Sequence, residues 1–184
     1  MTPRLLAEPT MVGREWEIDK LSQHLDSALK GRGSTIFIGG EAGVGKTRLV
    51  NEFLSHAKKK GTKILSGYCL SEVDIPYFPF TEAFNIYVST ISDEKAKSAM
   101  TKQLGITGWL RGPELAWESK TRELLLTPEI ERDRTFEAVS RLLVQLSMKE
   151  PVILFLDDLH WADHLSLALL HFLSRRCRNS QLLI

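Results

Sequence analysis

The sequence predicts an α/β fold built on a mostly parallel sheet. Short apolar runs alternate along the chain with longer segments whose apolar residues recur every three or four positions, so predicted strands alternate with predicted helices. The predicted strands are apolar throughout, which is typical of parallel strands that are covered on both faces. At 184 residues, the chain is long enough for one domain with a substantial core.

Composition restricts the possible function classes. Hydrophobic residues make up 43% and charged residues 26% of the chain, the balance of a soluble globular protein. The formal net charge of +1 provides no overall basic field. The basic runs at residues 58–60 and 175–178 fall where helices should end, so we expect no direct nucleic-acid binding. No apolar run reaches membrane-spanning length, so we expect a cytoplasmic protein without membrane contact.

The first part of the chain predicts two helices and two strands. Residues 15–30 carry an apolar stripe at helical spacing. Residues 35–38 are β-branched and aromatic and predict a short buried strand. Residues 46–60 resume helical spacing, and Gly61 occupies the position where glycine commonly closes a helix. Residues 63–69 predict the second strand.

A helical insertion is predicted between this strand and the next, over residues 80–150. Residues 76–80 predict a stiff aromatic loop that leads into it. A helix is expected over residues 92–104 and a break over residues 105–112. Pro128 is expected to end a helix, and residues 130–148 predict the next one.

The remainder of the chain predicts two strands joined by one helix. Pro151 ends the preceding helix, and residues 152–156 form the most apolar predicted strand of the chain. Residues 165–176 show helical spacing. Residues 181–184 begin a further strand.

Residues 40–47 read GEAGVGKT and match the pattern G-x-x-x-x-G-K-[ST]. In such a loop, successive backbone N–H groups turn inward around an anion, in conformations that glycine adopts and side chains resist. Lys46 would reach the outer phosphates, and Thr47 would offer its hydroxyl to Mg²⁺. The pattern follows a predicted strand and opens a predicted helix, as phosphate binding requires. We expect nucleotide contacts from Gly40, Glu41, Ala42, Gly43, Val44, Gly45, Lys46, Thr47 and Arg48.

The most apolar strand runs into two carboxylates within the sequence VILFLDDLHWAD. Asp157 would hold Mg²⁺ beside Thr47, and Asp158 would orient or deprotonate an attacking water. A nucleoside triphosphatase has a use for the second acid, whereas a kinase, whose nucleophile is the acceptor, needs it less. A surface pair that caps the next helix is the alternative interpretation. We predict Lys46 and Asp158 as catalytic residues and Thr47 and Asp157 as metal ligands.

Four segments occur in an order that extends the match beyond this loop. They are MVGREWE at 11–17, GEAGVGKTRL at 40–49, PYFPF at 76–80 and LFLDDLHWADHLSLALLHFL at 154–173. Together they resemble the ATPase domain of STAND-type signal-transduction proteins, a branch near the AAA+ ATPases. Such domains occur in large LuxR-type transcription regulators and beside adenylyl cyclase or protein kinase domains.

The resemblance implies a three-layer P-loop NTPase fold that binds ATP or ADP with Mg²⁺. It implies that Val12, Gly13 and Arg14 border the adenine, within an adenine-side segment at residues 1–33. The chain contains no Asn-Lys-x-Asp guanine pattern, which agrees with ATP rather than GTP. Trp161 and Asp163 also match the family, and capping of the next helix is the role we expect for them.

The family also implies parts that lie beyond Ile184, namely a polar sensor, another strand and a helical lid. We therefore expect a C-terminally truncated domain of a larger regulator, which binds nucleotide but hydrolyses it poorly alone. In the family, the strand at 181–184 lies between the strand at 35–38 and the acidic strand. The strand at 35–38 would then form an open apolar edge that invites self-association.

Two function classes remain open on the sequence. One is a nucleotide-dependent regulatory switch whose effector domains lie elsewhere in the full-length protein. The other is a small-molecule or nucleoside kinase, which would need an acceptor pocket and an arginine-rich lid. The arginines available for such a lid are Arg111, Arg122, Arg132 and Arg134.

Overall fold

The computed structural model describes residues 13–71, 75–106 and 127–184. Six helices and three strands lie within these ranges. They are α1 (Glu15–Leu29), α2 (Lys46–Lys59), β1 (Lys63–Tyr68), α3 (Phe78–Ser89), α4 (Glu94–Ile106), α5 (Pro128–Ser147), β2 (Val152–Asp157), α6 (His164–Arg176) and β3 (Leu182–Leu183). In these ranges, no helix combines the length and the apolar character needed to cross a membrane.

The three strands form a small parallel sheet in the order β1-β2-β3. Strands β1 and β2 pair along their whole length, from Lys63 opposite Val152 to Tyr68 opposite Asp157. Beyond β3, Ser34 forms a parallel bridge with Leu183. The sheet is consistent with an α/β P-loop fold, and β3 lies between β2 and residue 34 as the resemblance implied.

The prediction of a buried strand at residues 35–38 is wrong. The pairing of this segment with the sheet ends when the Ile36 N–H donates to the Ile184 carbonyl at 2.8 Å. Phe37 is 70% exposed and Ile38 is 37% exposed. The physical reason is the shortage of partners, because no described strand lies on the other side of the segment.

Two further boundaries differ from the sequence prediction, and proline explains both. Residues 78–80 form the first turn of α3 instead of a loop, with Pro79 at a position where a helix does not need the missing N–H. Pro128 begins α5, two residues before the predicted start at 130, for the same reason. The helix that Pro128 was expected to end lies outside the described residues. The other predicted helices and strands lie within a few residues of those observed. The predicted break at residues 105–112 is wrong for Gly105, because α4 continues to Ile106. Residues 107–112 fall outside the described residues.

The side chains of β2 alternate between two buried clusters. Val152 and Leu154 belong to a cluster formed with α3, α5 and α6. Ile153 belongs to a second cluster, formed with α1 and α2. Successive side chains of a strand point to opposite faces, so both faces of β2 contribute to the core. Three-layer closure and the status of residues 80–150 as an insertion stay predictions.

Candidate functional site

A cavity of about 970 Å³ opens where the glycine loop meets the carboxyl end of β2. The loop that precedes α2 forms one wall, and the end of β2 with the 3₁₀ turn Leu159–Trp161 forms the other. Lys46, Thr47, Asp157 and Asp158 all line this cavity. The structure therefore brings together the four side chains to which the sequence assigned catalysis or metal binding.

The loop places backbone donors beside this cavity. Gly43 and Gly45 have φ angles of 80° and 87°, in the left-handed region that side chains avoid. Gly45 is also the N-cap residue of α2. Because glycine has no side chain to accept the first N–H groups of the helix, those donors stay open to an anion.

Lys46 lies folded across the loop. Its Nζ donates to the carbonyl oxygens of Gly40 and Glu41, each at 2.9 Å. An ammonium group carries three N–H donors, so one donor is left over after these two contacts. The loop thus holds a positive charge at the cavity wall with hydrogen-bonding capacity to spare.

The two acids at the end of β2 differ in conformation. Asp157 completes the strand, and its Oδ1 accepts the Asp158 N–H at 2.9 Å. Asp158 has a φ of 54°, a left-handed conformation that is uncommon for a residue with a side chain. Its Oδ1 lies 3.9 Å from Nδ1 of His160, and both side chains are largely exposed. The hydrogen bond within the pair orients the Asp157 carboxylate.

Neither Asp157 nor Asp158 caps helix α6. Asp163 is the N-cap residue of α6, and its Oδ1 accepts the N–H groups of Leu165 at 3.0 Å and Ser166 at 2.9 Å. The predicted cap role of Asp163 is therefore confirmed. Trp161, for which we predicted the same role, instead lines the cavity with half of its surface exposed.

The acids create a negative field that reaches a neighbouring thiol. Cys69 is buried, and its N–H donates to the Asp157 carbonyl at 3.0 Å. Burial raises the pKa of the Cys69 thiol to about 11, with further contributions from the charges of Asp163, Asp158 and Asp157. The same carboxylates that disfavour a negative charge on the Cys69 thiol favour a cation at the end of β2.

The remaining predicted contacts divide into two groups. Gly40, Ala42, Gly43, Gly45 and Arg48 line the cavity. The residues that do not line it are Gly13, Arg14, Glu41 and Val44, and Val12 lies outside the described residues.

The sequence pattern indicated no cavity role for Trp161 or His160. Both line the cavity from the 3₁₀ turn, and their rings lie 5.0 Å apart. Their place directly after the acidic pair was the one available signal, since a residue that follows a functional strand end tends to share its surface.

The two described arginines among those considered for a kinase lid lie away from the loop cavity. Arg132 pairs with Asp133 at 3.0 Å and lies over the Phe136 ring. Arg134 lines a separate cavity along α5. Neither lines the loop cavity, and Arg111 and Arg122 lie outside the described residues.

A parallel sheet, a glycine loop that opens a helix and an acidic strand end at the same cavity are the features of a P-loop nucleotide-binding protein. Residues 10–184 match the model of the AAA ATPase domain, and the chain belongs to this family. An uncharacterized protein of Rhizobium meliloti (strain 1021) is 25% identical over 178 residues, which cover 87% of this chain and 16% of that protein. No solved structure matched the chain.

Proposed function

We propose that this chain binds Mg²⁺-ATP at the loop of residues 40–47 and acts as a nucleotide-dependent switch within a larger cytoplasmic signal-transduction or transcription-regulatory protein. The observation that carries the proposal is the convergence of Lys46, Thr47, Asp157 and Asp158 on one cavity. Membership of the AAA ATPase family supports nucleotide binding. The resemblance to STAND-type proteins supports the switch.

The residues present fit a magnesium nucleotide. Two left-handed glycines and an open helix N-terminus suit phosphate oxygens. The Thr47 hydroxyl and the Asp157 carboxylate are oxygen ligands of the kind that Mg²⁺ prefers. In our proposal, backbone N–H groups of residues 43–47 hold the phosphates, and Lys46 neutralises their charge. The family resemblance implies an adenine side formed by Val12, Gly13 and Arg14.

Bound Mg²⁺-ATP would supply the metal charge that stabilises a departing phosphate. The contribution of the chain is positional. Asp157 orients its carboxylate through the Asp158 N–H, and the exposed Asp158 carboxylate is available to accept a proton from water. We propose weak hydrolysis by this chain alone and ATPase activity in the full-length protein, because closure over the cavity depends on further elements.

The chain spans 16% of the length of the relative it matches. This partial coverage supports the proposal that the switch is part of a much larger protein. In that protein, sensor, lid and effector domains would accompany the ATPase domain. A kinase receives less support, since the described arginines of its predicted lid line no part of the loop cavity.

The proposal is tested by calorimetric titration of a nonhydrolysable ATP analogue with Mg²⁺. The wild type should bind without any acceptor, and Lys46→Ala should lose at least about tenfold in affinity, because a charge-assisted contact to phosphate is removed. Lys149→Ala is the matched control, since it removes the same charge from an exposed position that does not line the cavity. Equal affinities of the wild type and Lys46→Ala would contradict the proposal that nucleotide binds at this loop.

Phosphate release without an acceptor separates the two function classes. The switch predicts slow release that Asp158→Asn reduces further. Turnover that starts only when a small-molecule acceptor is added would contradict the switch and indicate a kinase.

A further inference from the structure

Arg14 joins the start of α1 to the glycine loop. Its Nη1 donates to Oε1 of Glu17 at 2.6 Å, one turn further along the helix. Its Nη2 donates to the carbonyl oxygen of Val44 at 3.2 Å, across 30 positions of sequence. A planar guanidinium can serve two acceptors in fixed directions, which a lysine ammonium on a flexible stem does less well. Glu17 therefore aims Arg14 at the loop.

The contact fixes one particular peptide group. In a trans peptide, the C=O and the following N–H point in opposite directions. The Val44 carbonyl faces Arg14, so the N–H of Gly45 points away from Arg14. Gly45 lines the cavity, whereas Val44 and Arg14 do not. The hydrogen bond to Val44 thus turns the Gly45 amide toward the cavity side of the loop.

This peptide needs an external restraint because of its neighbours. Gly43 and Gly45 flank Val44, and both adopt left-handed φ angles. Glycine offers little steric resistance to rotation of an adjacent peptide group. Without a hydrogen bond at the Val44 carbonyl, the peptide is free to turn its N–H out of the cavity.

The strength of this restraint follows from its exposure. The Arg14 side chain is 42% exposed and that of Glu17 is 29% exposed. Solvent weakens ion pairs at such positions, so the restraint acts through hydrogen-bond direction more than through charge. The hydrogen bond from Arg14 lowers the pKa of Glu17.

We propose that Arg14 is a positioning residue for phosphate binding, which holds the Val44 carbonyl outward so that the Gly45 amide faces the cavity. The inference rests on the proposed function, because it concerns the same nucleotide site. It differs from the adenine contact that the family resemblance implies for Arg14. A residue that acts through the loop affects every phosphate ligand, whereas a residue that contacts adenine affects only ligands with a base.

The test compares Mg²⁺-ADP with Mg²⁺-tripolyphosphate, which has no base or ribose. Arg14→Ala should weaken both ligands by the same factor, about three- to tenfold, the range expected for an exposed charge-assisted hydrogen bond. Arg14→Lys should restore little, because the fork is lost. Lys20→Ala removes a positive charge from the same helix at a position that contacts Trp16, and it should change neither affinity.

Glu17→Gln provides a second variant that leaves both the loop and Arg14 in place. It should weaken both ligands by a smaller common factor, and its effect should vanish when Arg14 is already alanine. Selective ¹⁵N-glycine labelling resolves the 12 glycines of the chain and reads the loop without any ligand. Arg14→Ala should shift or broaden the Gly45 amide signal, while Lys20→Ala leaves it in place.

Each other outcome overturns the inference. A loss confined to Mg²⁺-ADP would assign Arg14 to the base or ribose, and unchanged affinities with an unchanged Gly45 signal would remove it from the site. Failure of the proposed function looks different. In that case Lys46→Ala, too, leaves both affinities unchanged, or the wild type binds neither ligand, and both proposals fall together.

Discussion

Strand β2 and the segment at residues 35–38 have similar sequences and different structures. Both are runs of apolar, β-branched and aromatic residues that precede a functional loop. Strand β2 pairs with β1 on one side and β3 on the other, and Leu154 is completely buried. Next to the segment at 35–38, Ser34 forms one bridge with Leu183 of β3. Within the segment, the Ile36 N–H donates to the Ile184 carbonyl just after β3, and Phe37 is 70% exposed.

The difference shows that an apolar run indicates a segment able to form a β-strand. Whether the strand forms depends on neighbouring strands, which the run itself does not determine. Backbone N–H and C=O groups need partners on both sides before a central strand forms. Strand β2 has them because β1 and β3 flank it. The missing strand pairing at residues 35–38 affects only the sheet, since the glycine loop that follows still lines the cavity.

The largest effect should come from the buried side chain of the paired strand. Leu154→Ala should lower the free energy of unfolding by about 3 kcal/mol, because it removes a completely buried side chain and leaves a cavity. Phe37→Ala should lower it by less than about 0.5 kcal/mol, since most of that ring already contacts solvent. Urea denaturation of both variants measures the difference. Similar losses would mean that the two segments are equally buried.

A smaller effect is expected where residues 35–38 begin. A Cβ added to Gly33 would lie 2.1 Å from the Cys177 carbonyl oxygen and 2.5 Å from that of Leu182, so the backbone must move. Gly33→Ala should therefore cost about 2 kcal/mol of stability and weaken the bridge between Ser34 and Leu183.

Gly39→Ala is the control for this variant, because a Cβ there meets nothing within 4 Å. Its melting temperature should match that of the wild type. A Gly33→Ala protein that melts with the wild type would show that the segment does not lie against β3 as closely as described.

The smallest effect on stability should come from charging the exposed edge. Phe37→Lys should leave the free energy of unfolding within about 0.5 kcal/mol of the wild type, while it weakens any concentration-dependent self-association. Sedimentation velocity over a range of concentrations measures this. Met148→Lys, at another exposed apolar position, should not change association. Equal association of all three proteins would mean that this edge is not the contact.

Local patterns predicted most of the fold because they depend on neighbours in sequence. The stripe of residues 15–30 and the glycine after α2 needed no tertiary information. Proline was ambiguous in the sequence, since it can follow one helix and begin another, and Pro128 begins α5. The local pattern did not predict the exposure of Phe37, because this exposure depends on which strands lie alongside; only the family resemblance indicated an open edge there.

The site was predictable where chemistry restricts the residue type. A loop that turns its amides inward needs glycine, and a magnesium site needs oxygen ligands, so residues 40–47 and Asp157 are recognisable in the sequence. The contact between Arg14 and Val44 was not predictable, because it crosses 30 positions and uses a backbone carbonyl, which every residue has. The position of Trp161 in the cavity wall depends on the turn that follows Asp158.

That turn has a consequence for how the second acid can be varied. Most side chains at a φ of 54° carry a conformational penalty of about 1–2 kcal/mol, which glycine, asparagine and aspartate largely escape. Asparagine therefore removes the charge at position 158 and keeps the main-chain geometry. Valine or isoleucine would force the chain out of this geometry, and with it the N–H that orients the Asp157 carboxylate. The backbone conformation at position 158 therefore restricts which amino acids can replace Asp158, independently of any catalytic requirement.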